Sequence, residues 1–126
     1  MEREEIKSYK DACRVLGRKP RTYKDKHLNL YEQLTTIIAA LNFISNDNKP
    51  WIPELKYYYI FAYLHTDNKY NKLVGEFCLY SYDSVALSGA RIGASLKIRK
   101  YSDGKYIIAN FKDLLQEWFW GDLITK

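Results

Sequence analysis

Apolar residues near the N-terminus recur at the three- and four-residue spacing of an amphipathic helix. The residues on this face are Tyr9, Ala12, Cys13 and Leu16. Ser8 supplies an N-cap and Gly17 a left-handed stop, so the pattern predicts a helix of about two turns between them. A second apolar stripe predicts a longer helix over residues 25–44, which ends in a turn rich in asparagine.

From residue 57 the hydrophobic pattern changes to the two-residue period of strands. Residues 57–64 and 73–82 are typical of strands, and the polar residues 65–72 between them predict a β-hairpin with a long turn. After a connection over residues 83–90, residues 91–99 alternate strictly, which predicts a third strand. Its core face comprises Ile92, Ala94, Leu96 and Ile98, and its opposite face comprises Arg91, Gly93, Ser95, Lys97 and Arg99.

A last apolar stripe at helical spacing predicts a closing helix over residues 102–120, with Gly121 as its stop. Gly104 weakens the first turn, so a later start with Asn110 and Asp113 as caps is the alternative. The element order α-α-β-β-β-α predicts an α+β fold. In it, a small antiparallel sheet of about three strands packs with three helices.

Length and composition favour one domain. The 126 residues are 47% hydrophobic, which is enough to bury a core, so we expect a single domain over residues 1–126 with Leu114 and Trp118 buried. No run of about 18 apolar residues could span a bilayer, and the charged N-terminus does not resemble a secretory signal. We therefore expect no membrane association and a cytoplasmic location. Cys13 and Cys78 lie in apolar patterns and are expected to be buried free thiols, with a bridge or a reactive thiol as the alternatives.

The chain has a net charge of +5 and 12 tyrosines, a composition that favours acidic partners without requiring them. Residues 14–26 contain six cations and one acid, which predicts an exposed basic loop that includes Arg18 and Arg21. Alternation places Tyr57 and Tyr59 on one face of the first strand. If that face is open, it is a stacking platform beside a cationic strand; if helices cover it, the tyrosines belong to the core.

Signals for metal binding and catalysis are weak. His27 and His65 have no further His, Cys or carboxylate at zinc-ligand spacing. Asp47 followed by Glu54 and Lys56 resembles the acidic motif of Mg²⁺-dependent nucleases, but its spacing is short and prolines interrupt it, so scattered surface charges are the simpler interpretation. P-loop, dinucleotide and nucleophile-elbow motifs are absent. We expect no enzymatic activity, no metal and no cofactor, with a small hydrolase or nuclease as a further alternative.

Four stretches that span nearly the whole chain in order show a family resemblance. They are residues 7–17 (KSYKDACRVLG), residues 26–34 (KHLNLYEQL), residues 51–59 with the triple tyrosine, and residues 89–92 (GARI). Together they resemble a family of short proteins from Bacteroides genomes and their crAss-like bacteriophages. The chain lacks the proline and tryptophan that soon follow the tyrosine pair in that family, and Ala90 replaces the commoner serine. The resemblance implies a phage or mobile-element origin and adds no catalytic residues.

Two functional hypotheses from different classes follow. The first is a non-enzymatic bacteriophage or mobile-element accessory protein that binds nucleic acid through a basic, Tyr-rich sheet face. Its expected contact residues are Arg91, Lys97, Arg99, Arg18, Arg21, Tyr57 and Tyr59. The second is a protein-binding phage protein, either a virion component or an inhibitor of a host defence system, that uses the same tyrosines as interface anchors. In either case a phage-encoded protein would act in the cytoplasm of the host cell.

Overall fold

The computed structural model describes residues 2–51, 57–67, 69, 72–82 and 96–121. The elements, in chain order, are a 3₁₀ turn (Arg3–Glu5), α1 (Tyr9–Leu16), α2 (Lys26–Ser45), β1 (Tyr57–Asp67), β2 (Lys72–Tyr82), α3 (Tyr101–Asn110) and α4 (Lys112–Trp120). These residues form four α-helices and one two-stranded antiparallel sheet. The mixed helix-and-strand class that the sequence predicts is therefore confirmed.

The two N-terminal helices begin and end at their capping signals. The Ser8 hydroxyl accepts a hydrogen bond from the Asp11 N–H at 3.2 Å, and Gly17 ends α1 with a φ of 68°. A side chain is strained at that φ, which explains the glycine. At the start of α2, the Asp25 carboxylate accepts from the Leu28 N–H at 2.9 Å. The predicted bounds of both helices are confirmed to within about one residue.

β1 and β2 form an antiparallel hairpin with Tyr57 opposite Tyr82 at its open end. The turn is shorter than predicted, because the ladder continues through His65 and Thr66. The polar character of residues 65–72 predicts a loop, but backbone pairing does not require apolar side chains. The β-branched Thr66 also suits an extended backbone.

The predicted third strand lies mostly outside the described residues, which include only its end from Leu96 onward. There Ile98 forms a single antiparallel bridge with Tyr58, with N···O distances of 2.8 and 2.9 Å. The alternation holds at this end, since Ile98 is buried whereas Lys97 and Arg99 are partly exposed. In the described part of the chain the predicted three-stranded sheet is thus a two-stranded sheet with one added bridge.

The C-terminal apolar stripe forms two helices instead of the single helix predicted. They are separated at Phe111, whose φ of −126° and ψ of 33° depart from helical values and whose ring is buried in the core. The buried face continues across the break at a four-residue spacing through Ile107, Phe111 and Leu115, whereas Leu114 and Trp118 lie at its edge and are half-buried. The expectation that Leu114 and Trp118 are buried is confirmed only in part, because both pack against the core but remain half-exposed.

Gly104 lies inside α3, where its lack of a side chain permits close packing. A Cβ at this position would lie 2.4 Å from Leu79 Cδ2 on β2. The glycine therefore allows the helix and the strand to approach each other, at the cost of some helix propensity. A later helix start capped by Asn110 is not observed, because α3 begins at Tyr101 and the Asn110 amide donates to Tyr106 O.

The core is centred on α2, which packs against α1, α3 and α4. Its members include Leu34, Ile37, Ile38 and Leu41 from α2, together with Ile6, Ile98, Ile107 and Leu115. Cys13 is buried and Cys78 half-buried, and both are free thiols. Across the described residues, every helix is too short or too polar to cross a membrane.

Candidate functional site

Lys97 and Arg99, the two described cations of the predicted strand face, both have partners inside the molecule. The Lys97 ammonium lies 4.5 Å from the centroid of the Tyr57 ring, which is within cation–π range. The Arg99 guanidinium donates to Ser45 O at 2.7 Å, where it also meets the negative end of the α2 dipole. Arg91, the third predicted cation, lies outside the described residues. Lys97 and Arg99 are therefore less available to an external ligand than the alternating pattern of the strand predicts.

Asn42 holds the same segment from the side opposite β1. Its amide donates to Lys97 O and accepts from the Arg99 N–H, both at 2.9 Å. Asn42 is only 7% exposed, so water has little access to these two backbone groups. The two hydrogen bonds of the Asn42 side chain satisfy them as a neighbouring strand would. The role of Asn42 was not predicted; its signal in the sequence is a polar side chain directly after Leu41 on the apolar stripe of the helix.

The tyrosine face of the hairpin is only partly open. Tyr57 is 3% exposed, whereas the Tyr59 ring is half-buried and stacks on Tyr80 with a centroid distance of 5.9 Å. Among the described rings of this hairpin face, Phe61 (46%) and Tyr80 (48%) are the most exposed, and they meet edge to face at 5.5 Å. Tyr58 lies on the inner face and packs against the core. Of the predicted pair, Tyr59 thus contributes to an exposed aromatic patch, and Tyr57 is covered.

Of the predicted basic loop over residues 14–26, Arg14 lies in α1 and Lys26 in α2, so the loop that connects the helices carries its cations at residues 18–24. It holds more cations without a described ion-pair partner than the strand face does. At its two ends, Arg14 pairs with Asp11 at 2.6 Å and Lys26 pairs with Glu117 at 3.2 Å. Between them lie four exposed cations, Arg18, Lys19, Arg21 and Lys24, none of which forms an ion pair with any residue that the structure describes. The structure thus brings Arg18 and Arg21 together on one surface, as the sequence predicts.

Three of these cations line a pocket of about 380 Å³. Its walls include Arg18, Lys19 and Arg21 from the loop and Glu32 from α2. Cationic side chains around a concave surface focus the electrostatic potential and favour anionic groups of a ligand. Guanidinium groups can also form paired hydrogen bonds with phosphate oxygens. The pocket therefore has the chemistry of a phosphate-binding surface.

Tyr9 fixes this loop against the two helices. Its hydroxyl accepts from the Arg21 N–H at 2.9 Å and donates to a Glu32 carboxylate oxygen at 2.7 Å. The Thr36 hydroxyl donates to the same carboxylate oxygen at 3.1 Å. Burial raises the pKa of Tyr9, and the Glu32 carboxylate raises it further, so the hydroxyl remains a donor at neutral pH. The loop backbone is thereby held where its side chains can face one ligand.

Aromatic side chains lie beside the basic loop, at the N-terminal end of α2. Trp118 of α4 stacks on His27 with a centroid distance of 4.5 Å and contacts Tyr31 at 5.6 Å. Tyr31 is 39% exposed, and Tyr23 within the loop is 38% exposed. The grouping of these rings beside the loop was not predicted, although His27 and Tyr31 follow the basic loop directly and share one helix face at a four-residue spacing.

The described residues contain no cluster of three or more His, Cys, Asp or Glu side chains that could hold a metal ion. His27 is engaged with Trp118, and Asp47 lies in the exposed turn after α2 with a φ of 57°. Glu54 and Lys56, the rest of the acidic motif considered above, lie outside the described residues. The interpretation of these acids as catalytic therefore gains no support from their placement.

Comparison with known proteins does not assign the chain to a family. No family model, curated protein or solved structure matches the chain. The resemblance to short proteins of Bacteroides genomes and crAss-like phages therefore stays a prediction.

Proposed function

We propose that this chain is a non-enzymatic phage-type accessory protein that binds single-stranded nucleic acid at the basic loop. The observation that supports the proposal is the pocket lined by Arg18, Lys19 and Arg21, with Lys24 beside it in the chain. These cations are exposed, and the described residues offer them no carboxylate within salt-bridge distance. A phosphate backbone would supply the missing negative charge.

The loop is favoured over the strand face because of what its cations contact. Lys97 lies over an aromatic ring and Arg99 caps a helix, so binding of phosphate there would compete with contacts that stabilise the fold. The loop cations form no ion pair with a described residue, so binding adds ion pairs there, although Tyr23 and Glu32 already attract the Arg21 guanidinium. Nearby rings such as Tyr23 and Tyr31 would add base stacking, which is worth about 1–3 kcal/mol per base.

The expected salt dependence follows from the number of cations. If the four loop cations each neutralise one phosphate of a single strand, the logarithm of affinity falls by about 0.7 per phosphate for each tenfold rise in salt. The affinity should then fall about 50-fold between about 50 and 200 mM salt. A protein that binds chiefly through apolar contacts would show almost no change over this range.

The test is fluorescence anisotropy with a labelled single-stranded oligonucleotide at both salt concentrations. The variant Arg18→Glu/Arg21→Glu should weaken binding at least about tenfold and roughly halve the salt dependence. The control Lys49→Glu/Lys112→Glu changes the net charge equally at exposed positions outside the loop. Equal losses in the two variants would show a nonspecific charge effect, and no binding by the native protein at low salt would refute the proposal.

A protein partner is the second candidate, and the exposed pair Phe61 and Tyr80 favours it. Exposed aromatic side chains in mutual contact are typical anchors of protein interfaces. The variant Phe61→Ser/Tyr80→Ser should abolish binding of a virion or host defence protein while oligonucleotide affinity stays at the native value. A loss of oligonucleotide affinity in this variant would instead assign the hairpin to the nucleic-acid surface.

A further inference from the structure

A second cavity, of about 220 Å³, lies between α2, β1 and α4, and no described residue lines both it and the basic pocket. The aliphatic part of its wall comprises Leu34, Ile38 and Leu115, and the aromatic part comprises Tyr59, Trp118 and Phe119. No described lining residue is charged. The cavity is therefore a partly open apolar site formed by side chains of three separate elements of the fold, and its rim includes the exposed ring of Phe119.

The volume of the cavity sets the size of ligand that fits it. An apolar cavity of about 150 Å³ is known to stay dry and to bind a single aromatic ring. The larger space here has room for two fused rings.

We propose that this cavity binds a small uncharged aromatic molecule of one or two rings. A charged ligand is disfavoured because the described walls provide no ion to pair with it after desolvation. The aromatic side chains favour a ring, since Tyr59 and Trp118 can meet it face to face or edge to face. The aliphatic side chains of Leu34 and Ile38 supply the dispersion contacts of an apolar wall.

Indole is the probe, and its charged analogue indole-3-carboxylate is the matched control ligand. We expect saturable indole binding with a Kd on the order of 0.1–1 mM, by calorimetry and by methyl chemical shifts of Leu34 and Leu115. At ten times its Kd, indole should raise Tm by about 5 °C. Indole-3-carboxylate should produce neither effect.

A substitution that fills the cavity distinguishes indole binding in the cavity from nonspecific binding elsewhere on the protein. Ile38→Phe places a ring in the cavity and should abolish indole binding with Tm unchanged or raised. The same substitution at Ile44, which packs against the core but does not line the cavity, should retain binding. Should Ile38→Phe fail to fold, Ile60→Phe fills the cavity from β1 instead.

Two results would overturn the proposal. One is native protein that shows no saturable indole binding up to the solubility limit. The other is binding that persists equally in folded Ile38→Phe or Ile60→Phe, because the ligand would then lie elsewhere. Neither result depends on the oligonucleotide experiment, since among the residues that the structure describes none lines both sites.

Discussion

Replacement of Asn42 by leucine tests whether α2 holds the segment around Ile98, which forms the antiparallel bridge with Tyr58 of β1. The Asn42 amide is bonded to Lys97 O and to the Arg99 N–H, both at 2.9 Å, in a place where the side chain is 7% exposed. Leucine has nearly the same shape as asparagine but neither donates nor accepts a hydrogen bond. The substitution therefore removes both hydrogen bonds while largely preserving the packing.

The expected loss of stability follows from the two backbone groups, Lys97 O and the Arg99 N–H, that lose their hydrogen-bond partner. Each lost hydrogen bond contributes about 1 kcal/mol, and a backbone group that stays buried without a partner costs about 1–3 kcal/mol. Part of this is offset by the better burial of an apolar side chain. We expect a net loss of about 2–5 kcal/mol in the free energy of unfolding, or a Tm about 10–20 °C lower.

Urea denaturation measures this loss, and amide hydrogen exchange locates it. The Arg99 amide should be protected in the native protein and exchange much faster in Asn42→Leu, because its acceptor is gone. Asn110→Leu is the control, since Asn110 is an exposed helix residue that bonds only to Tyr106 O among the described groups. Its free energy of unfolding should change by less than about 1 kcal/mol.

Asn42→Asp gives an independent check through pH. The carboxylate still accepts from the Arg99 N–H, but its second oxygen opposes Lys97 O instead of donating to it. Burial raises the pKa of such a carboxyl above about 3.9, so protonation restores a donor as the pH falls. The deficit relative to the native protein should therefore shrink from pH 7 toward pH 4. A deficit that stays constant with pH, or an Asn42→Leu variant within about 0.5 kcal/mol of native, would refute the reasoning.

Two further predictions concern the core and the loop anchor. Leu115→Ala should lower the free energy of unfolding by about 2–5 kcal/mol and Leu114→Ala by about 1 kcal/mol in urea denaturation, because only Leu115 is fully buried; the reverse order would place the helical phase elsewhere. For Tyr9, burial raises the pKa in the folded state, so its contribution is complete below about pH 10, the ordinary value, and is lost as the pH rises through the raised pKa. Tyr9→Phe lacks this titration, so above about pH 10 its stability should fall less than that of the native protein. Because the loop loses its anchor, the variant should also bind the oligonucleotide more weakly at pH 7. A loss of stability with alkaline pH equal to that of the native protein would contradict this assignment.

Local signals in the sequence determined the N-terminal half of the fold. Ser8, Gly17 and Asp25 mark the ends of α1 and α2 because caps and left-handed stops act within one helical turn. The two-residue period likewise predicted the hairpin, since it depends only on neighbouring side chains. The exposed placement of Arg18 and Arg21 followed from the charge of a segment too polar to be buried.

Only the tertiary structure decided which cations remain available and how the C-terminal half packs. Arg99 meets Ser45 and Asn42 across more than 50 residues of chain, and no short-range pattern contains such a pairing. The break at Phe111 and the close approach at Gly104 likewise depend on what lies across the core. A periodic pattern specifies which side of an element is apolar, but the partner of each side chain is set by long-range packing, which sequence spacing does not encode.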